Sequence, residues 1–495
     1  MPQPNIVVVM TDQQRADVSA REGYPLDTTP FLDALARGGV WFRRAYTTNP
    51  TCAPARVSML TGRYPSATRV RTNHNLADAT YTGDLIDVLR SRGYATAMVG
   101  KNHSHLTPER VDHWFPLGHG GGSGEGRTPE EEAFDQYLRE LHHRVAVSPT
   151  PFPVECQGPS RAVADAERWV ASLGGNPFFL WLTFAEPHNP YQVPEPYFSM
   201  FPPESLPATF ADRAALPARG YKWEWMRQIG LEAYPDYDQV VPRARANYFG
   251  MLRLIDDQVR RFVGFLDAQG LRDNTLVVFL ADHGDFVGEY GLVRKGPEMP
   301  EMLIRIPMLF NGPGIAASAQ PHPAHVSIAD LMPTLCEAVG APLPVGVQGR
   351  SLWPLLTGAE YPEDEFASAY AEQGFGGLHY TPDDDPSFEA YIAQGPKDRT
   401  FDCLNSVSQS GTMRMVRRGD WKLVFDMQGR GQLTHLATDP AELRNLYDAP
   451  EHADIQRRLL ADLLAWTLRA QDPLPLPRRR YRMKTDPRNY WAPYR

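Results

Sequence analysis

What most constrains the fold is a grammar that recurs along the chain: an amphipathic helix, a glycine stop, a short apolar strand, then a polar residue. In "LIDVLRSRGYATAMVGK" (Leu85–Lys101) the helix gives way at Gly93 and the strand runs out at Lys101. "RAVADAERWVASLGGNPFFLWLTFAEPHNPY" (Arg161–Tyr191) follows the same order and arrives at His188. A third instance is longer. Tyr248, Leu252, Ile255, Val259, Phe262 and Leu266 keep 4-3-4-3-4 spacing on one helix face, and after Gly270 comes the strand "TLVVFLADHGD" (Thr275–Asp285). Near the start, Ile6–Met10 reads as a buried strand ended by Thr11-Asp12. "TPFLDALARGG" (Thr29–Gly39) reads as a helix with a capping threonine, a first-turn proline and a glycine exit. Helices alternating with continuous apolar strands predict an α/β fold whose sheet is covered on both faces.

Asp12, Lys101, His188 and Asp282-His283 all fall just past the C-terminal ends of these strands. Ligand sites in open α/β sheets gather at that edge, so the five residues are expected to converge. Two carboxylates, an imidazole and the side-chain carbonyl of Gln13 suit a divalent cation. Ca²⁺ is the first expectation, with Mn²⁺ or Zn²⁺ as alternatives. Taken singly each residue says little, because an aspartate after a strand commonly caps a turn.

The bulk properties narrow the class. A chain of 495 residues is long enough for a large domain plus a smaller one. Its formal charge of -9 argues against broad nucleic-acid binding, and no stretch approaches the ~20 apolar residues of a membrane span. The apolar run Ile6–Met10 lacks a basic leader, which favours a cytoplasmic protein. Four cysteines, Cys52, Cys156, Cys336 and Cys403, lie far apart with no C-x-x-C pair, unlike a disulfide framework. From about Ser351 to Ser406 the helix–strand pattern weakens, with "TPDDDPSF" (Thr381–Phe388) as a loop. Beyond it, "TMRMVRRGDWKLVFD" (Thr412–Asp426) reads as two strands around a turn, and Ile455–Ala470 as an amphipathic helix. We therefore expect a large α/β domain over 1–385 and a smaller α+β unit over 386–495. Three lesser stretches read blandly: "GHGGGSGEG" (Gly118–Gly126) as a mobile loop, "YKWEWMRQ" (Tyr221–Gln228) as core or lid packing, and "RRRYRMK" (Arg478–Lys484) as a solvated basic tail.

One cysteine stands out. Cys52 opens "TCAPARVSMLTGR" (Thr51–Arg63), beside a proline and an arginine at a helix start, where neither apolar neighbours nor a thiol partner are in view. The C-x-P-x-R pattern, Thr61-Gly62-Arg63 behind it, "VVVMTDQQRAD", "VGKNH", "AEPHNPY", "ADHGDFVGEYGLVRKG" (Ala281–Gly296) and "DPAELRNLYD" (Asp439–Asp448) are spread over most of the chain. With them the sequence resembles the type I sulfatases of the alkaline phosphatase superfamily. The resemblance implies a large mixed, mostly parallel sheet sandwiched by helices, alkaline phosphatase-like, and sulfuric ester hydrolysis. It further implies that a formylglycine-generating enzyme oxidises Cys52 to formylglycine, an aldehyde. The hydrated aldehyde carries two hydroxyls on one carbon: one attacks sulfur, and deprotonation of the other expels the sulfate and restores the aldehyde.

On that resemblance Asp12, Gln13, residue 52, Asp282 and His283 hold the metal. Arg56 steadies the diol and nearby negative charge, while Lys101 and Lys295 neutralise sulfate oxygens. His188 protonates the leaving alcohol, and His103 helps deprotonate the diol. Two positions depart from the common pattern: Gln13 and His283 stand where many sulfatases have Asp and Asn. That variant is similar to phosphonate monoester hydrolases of the same superfamily, whereas Lys101 and His103 fit sulfatases. The expected substrate is a small organic or carbohydrate sulfate. The rivals are a phosphonate monoester or phosphodiester hydrolase and an inactive ligand-binding homologue. Neither nucleic acid nor a membrane is an expected partner, and assembly into a homo-oligomer stays open.

Overall fold

The computed structural model describes residues 3–123, 126–142, 144–233, 236–375, 379–384, 408–471 and 486–492. Cys403, the basic stretch Arg478–Lys484, the second half of the loop Thr381–Phe388 and the expected boundary at 385/386 lie outside them.

Nine strands make the main sheet: β1 (Asn5–Asp12), β2 (Val40–Tyr46), β3 (Ala95–Gly100), β4 (His113–Gly118), β5 (Gly121–Gly122), β6 (Phe178–Pro187), β7 (Thr275–Ala281), β8 (Met308–Asn311) and β9 (His322–Ser327). Their order is β5-β4-β3-β6-β1-β7-β8-β2-β9. The central run from β4 to β7 is parallel, while β5 and β8 pair antiparallel with their neighbours. The expected α/β sheet is therefore present, mixed and mostly parallel.

Helices α1 (Pro30–Arg37), α2 (Cys52–Thr61), α3 (Leu85–Ser91), α4 (Gly158–Ser172), α5 (Tyr237–Ala268) and α6 (Leu331–Ala338) cover both faces. Side chains alternate across a strand, so β1 feeds two cores. Ile6, Val8 and Met10 pack with Met59 and Leu60 of α2, Leu85 and Leu89 of α3 and Leu331 and Leu335 of α6. Val7 and Val9 pack with Leu32 and Leu35 of α1, Val163 and Trp169 of α4 and Ile255, Val259 and Phe262 of α5. Strands buried on both faces explain why the sequence shows continuous apolar runs.

The capping threonine of α1 is a correction. Thr29 occupies the N-cap position without a capping side-chain bond. The carboxylate of Asp256, on α5, caps the helix instead, accepting from the backbone N–H of Phe31 at 2.9 Å and of Leu32 at 2.8 Å. A carboxylate from a packed neighbour satisfies two orphan donors at the positive end of the helix dipole, which a single hydroxyl cannot.

A second, antiparallel sheet runs β10 (Ser368–Gln373), β11 (Met413–Arg418), β12 (Trp421–Asp426) and β13 (Gly431–His435). Helix α7 (Ala453–Gln471) lays Leu459, Leu463 and Trp466 against Tyr370, Val416, Leu423 and Leu433 of that sheet. In "YKWEWMRQ", Trp223 and Trp225 are buried in a cluster with Phe286 and Tyr290, so this stretch is core packing.

Strand register places the site. Thr11 pairs with Ala281, so Asp12 and Asp282 leave adjacent strands side by side. Gly100 and Met10 both pair with Thr183 of β6, and a register shift after Met10 sets Asp12 beside Pro187. Lys101 and His188 follow directly. No helix among the described residues is long and apolar enough to cross a membrane.

Candidate active site

Cys52 is the first residue of α2, and all ten residues of that helix are buried. Pro54 sits in the first turn, where a missing N–H costs nothing, and Gly62 closes the helix at φ 63°. The helix start faces the strand edge. Around the Cys52 Sγ lie His283 Nε2 at 3.2 Å, Lys295 Nζ at 3.3 Å, Asp12 Oδ1 at 3.7 Å and Lys101 Nζ at 3.9 Å. Burial and Asp12 push this thiol up, yet Lys101, Lys295 and His283 hold it well below the usual thiol range. The contrast with the other thiols is chemical: burial pushes Cys156 up to about 11 and Cys336 up to about 12. All three are free of disulfides.

Donor atoms of Asp12, Cys52, Asp282 and His283 lie within 4.8 Å of one another. The His283 Nδ1 lies 2.9 Å from the carbonyl of Gly284. A proton on Nδ1 directed there leaves the Nε2 lone pair facing the cluster, the orientation of a metal-ligating imidazole. Gln13 stands in the left-handed region at φ 69°. Its Nε2 donates to Asp285 Oδ2 at 2.5 Å, so its Oε1 is the side-chain atom turned toward Lys295 Nζ, 3.4 Å away. Two carboxylates, one imidazole nitrogen and one amide oxygen fit a divalent cation.

Arg56 is fully buried one turn along α2. Its Nε donates to Asp282 Oδ2 at 2.8 Å and its Nη2 to Asp12 Oδ2 at 3.2 Å. Its Nη1 donates to the Lys101 carbonyl at 2.6 Å and to Thr183 Oγ1 at 2.9 Å. The guanidinium thus ties both carboxylates to the end of β3 and the middle of β6. Lys101 pairs with the same oxygen of Asp12, Oδ2. Burial pushes the Asp12 carboxyl up, but Lys101, His188, Arg56 and His283 hold it well below the carboxylate range. Lys295 is held above its ordinary range, burial notwithstanding, by Cys52, Asp12 and Asp282.

The structure therefore gathers Asp12, Gln13, Cys52, Arg56, Lys101, Asp282, His283 and Lys295 around one point. His188 stands at its border, its Nδ1 2.6 Å from the Asn189 carbonyl. Burial, His119 and Lys295 keep it well below the usual imidazole range. His103 is different: half-buried, in left-handed backbone at φ 46°, it makes no hydrogen bond to Cys52 or the carboxylates among the described residues. Two residues escaped the sequence reading. Asp285 accepts from Gln13, from the Tyr191 hydroxyl at 2.8 Å and from the N–H groups of Val287 and Arg294 at 2.7 and 2.9 Å. His119 lies at 2.7 Å from Lys101 Nζ. The signal for Asp285 was its place three residues past the first strand-end aspartate; that for His119 was a histidine directly after β4 at the same sheet edge.

The sulfatase family model matches residues 4–341, more than half of the chain, and the protein belongs to that family. Similar proteins include the multifunctional alkaline phosphatase superfamily protein PehA of Trinickia caryophylli, 28% identical over 95% of this chain and 96% of that one. An arylsulfatase of Clostridium perfringens is 27% identical, covering 91% and 92%, and a choline-sulfatase of Rhizobium meliloti 27%, covering 95% and 88%. Among solved structures, the phosphonate monoester hydrolase of Agrobacterium radiobacter superposes with a TM-score of 0.77 at 24% identity over 94% of this chain and 96% of that one, a likeness of fold.

Proposed function

We propose that this sulfatase hydrolyses sulfate monoesters of small organic or carbohydrate alcohols, with residue 52 converted to formylglycine. The observation that carries the reading is the setting of Cys52: a helix-start side chain 3.2–3.9 Å from an imidazole, two ammonium groups and a carboxylate. Sγ stands where an oxygen of the hydrated aldehyde would be. A divalent cation, Ca²⁺ by preference, held by Asp12, Gln13, Asp282 and His283, would draw charge from that hydroxyl and from the sulfate.

The chain's own groups do the rest. Lys101 and Lys295 present N–H donors to sulfate oxygens from two directions, a preorganised field that costs no reorganisation during S–O cleavage. Arg56 keeps the two carboxylates aimed. The His188 ring, fixed through Nδ1, has Nε2 to take up the proton that residue 52 releases on attack and to pass it to the leaving alcohol. His103 serves as base for residue 52 only through an intervening water. A formylglycine-generating enzyme is then a partner in maturation.

A second reading, phosphonate monoester or phosphodiester hydrolysis, is favoured by Gln13 and His283, the variant that resembles phosphonate monoester hydrolases. The test uses protein whose Cys52 peptide mass shows conversion. Turnover of 4-nitrophenyl sulfate and of sulfated sugars is compared with that of a phenylphosphonate ester. Faster sulfate turnover is expected. Faster phosphonate turnover, or none at all with residue 52 converted, overturns the proposal.

A further inference from the structure

We propose that His119 is a positioning residue of this site, setting Lys101 and His188 through two different contacts. Its Nε2 is 2.7 Å from Lys101 Nζ. An ammonium has only donors, so Nε2 accepts, and a neutral ring carries its proton on Nδ1. Its ring also lies on that of His188, with centroids 3.7 Å apart and planes at 24°. The same side chain thus touches the cation proposed for the sulfate and the imidazole proposed for the leaving group.

The glycine run expected to be a mobile loop is what holds it there. Gly118 pairs with Gly121 and Leu117 with Gly122, so His119 and Gly120 form the tip of a two-residue hairpin. Gly121 stands at φ 81°, and a Cβ on it would fall 1.8 Å from Asp135 Oδ1. That carboxylate is buried and paired with Arg161 at 2.6 Å and Arg127 at 3.0 Å. The absent side chain lets a buried ion pair close under the turn, which fixes the tip rather than loosening it. β4 also runs parallel to β3, with Gly100 opposite Pro116, so Lys101 and His119 leave neighbouring strands at one edge.

The consequence is a division of the Lys101 ammonium. One donor goes to Asp12 and another to His119, which leaves a third for the site, where Cys52 Sγ lies at 3.9 Å. Without His119 the ammonium is free to rotate onto Asp12 alone. Without the ring, His188 loses the flat surface that fixes its plane.

The inference rests on the sulfatase reading, and three variants of the metal-loaded, converted enzyme test it. His119→Gln keeps an acceptor for Lys101 and drops the stack; His119→Phe keeps a ring and drops the acceptor; His119→Ala drops both. On 4-nitrophenyl sulfate, kcat is expected to fall by about 10- to 100-fold in His119→Ala and by less in the other two, with KM moving less than kcat. Melting temperatures separate these effects from unfolding. Inorganic sulfate binding, followed by calorimetry, is expected to weaken in His119→Phe but not in His119→Gln, and it needs no turnover. His119→Ala within about twofold of the parent kcat, or sulfate binding unaltered in His119→Phe, overturns the inference. A parent enzyme whose sulfate binding depends on Lys101 and on its contact with His119, yet which turns over no sulfate ester, would sink the functional reading and leave this one standing.

Discussion

Asp285→Asn is the substitution whose outcome follows most directly from the hydrogen bonds. Asp285 Oδ1 accepts from the backbone N–H groups of Val287 and Arg294, and Oδ2 from Gln13 Nε2 and the Tyr191 hydroxyl. An asparagine has one acceptor and one donor, so its NH₂ must face two donors. The backbone groups cannot turn. The oxygen therefore stays with them, and the NH₂ meets Gln13, whose amide has to flip. Flipping takes the Gln13 carbonyl oxygen off the cluster and brings its NH₂ toward Lys295, now 3.4 Å from Oε1. Each of the two hydrogen bonds that loses a charged acceptor costs about 1 kcal/mol, the gap between charged and neutral hydrogen bonds. A displaced support of this kind lowers metal affinity by about 10- to 100-fold. Chelator competition on the purified protein measures it. Because Asp285 acts through Gln13, Gln13→Ala and Asp285→Asn are expected to be far from additive. Unchanged affinity in Asp285→Asn, or clean additivity in the double variant, refutes the reasoning.

Two other outcomes follow. Arg56→Met strands the buried carboxylates of Asp12 and Asp282, and in metal-free protein it is expected to cost about 3–5 kcal/mol in denaturant unfolding. Arg56→Lys should recover only part of that, since a point charge cannot serve both carboxylates, the Lys101 carbonyl and the Thr183 hydroxyl at once. His325, buried on β9, is depressed from 6.5 to about 3, chiefly by burial and then by Arg44 and Arg417. The unfolded chain takes up this proton first, so stability is present above pH ~6.5 and falls as pH drops toward ~3, by at most about 1.4 kcal/mol per unit from this group. His325→Gln should flatten the acid limb of a melting-temperature profile between pH 7 and 5; an unaltered limb counts against the assignment.

The strands and their common edge were legible because each is a continuous apolar run followed by a polar residue, and three of them come directly after a helix stopped by glycine. The Cys52 signature was legible because its spacing is local. What escaped depends on contacts between distant segments. The cap of α1 comes from Asp256, on another helix. Gly121 reads as loop chemistry in sequence, but its lack of a side chain serves the Asp135–Arg161 pair. His119 hid in the same run. The register shift after Met10, which sets Asp12 beside Pro187, has no signature in the apolar pattern.

The charges of the site decide between its two candidate substrates less by their sum than by their direction. Sulfate monoesters and phosphonate monoesters each carry one negative charge, so the balance of Asp12 and Asp282 against Arg56, Lys101 and Lys295 treats them alike. Their shapes differ. A sulfate monoester spreads its charge over three terminal oxygens, whereas a phosphonate monoester has two and an apolar carbon in place of the third. On the proposed reading, Lys101, Lys295 and a cation held by the cluster would supply three electrophilic contacts, one for each sulfate oxygen. A phosphonate would leave one lysine facing carbon. Arg56 does not change this count, because Asp12, Asp282, the Lys101 carbonyl and Thr183 occupy its donors. Lys101→Met should therefore cost sulfate ester turnover about 10²- to 10³-fold, the scale of one lost transition-state donor, and phosphonate ester turnover much less. The ratio of the two kcat/KM values, measured on one enzyme preparation, should swing toward the phosphonate. Equal losses on both substrates would mean that Lys101 serves Asp12 rather than the third oxygen, and the geometric preference for sulfate would have no basis.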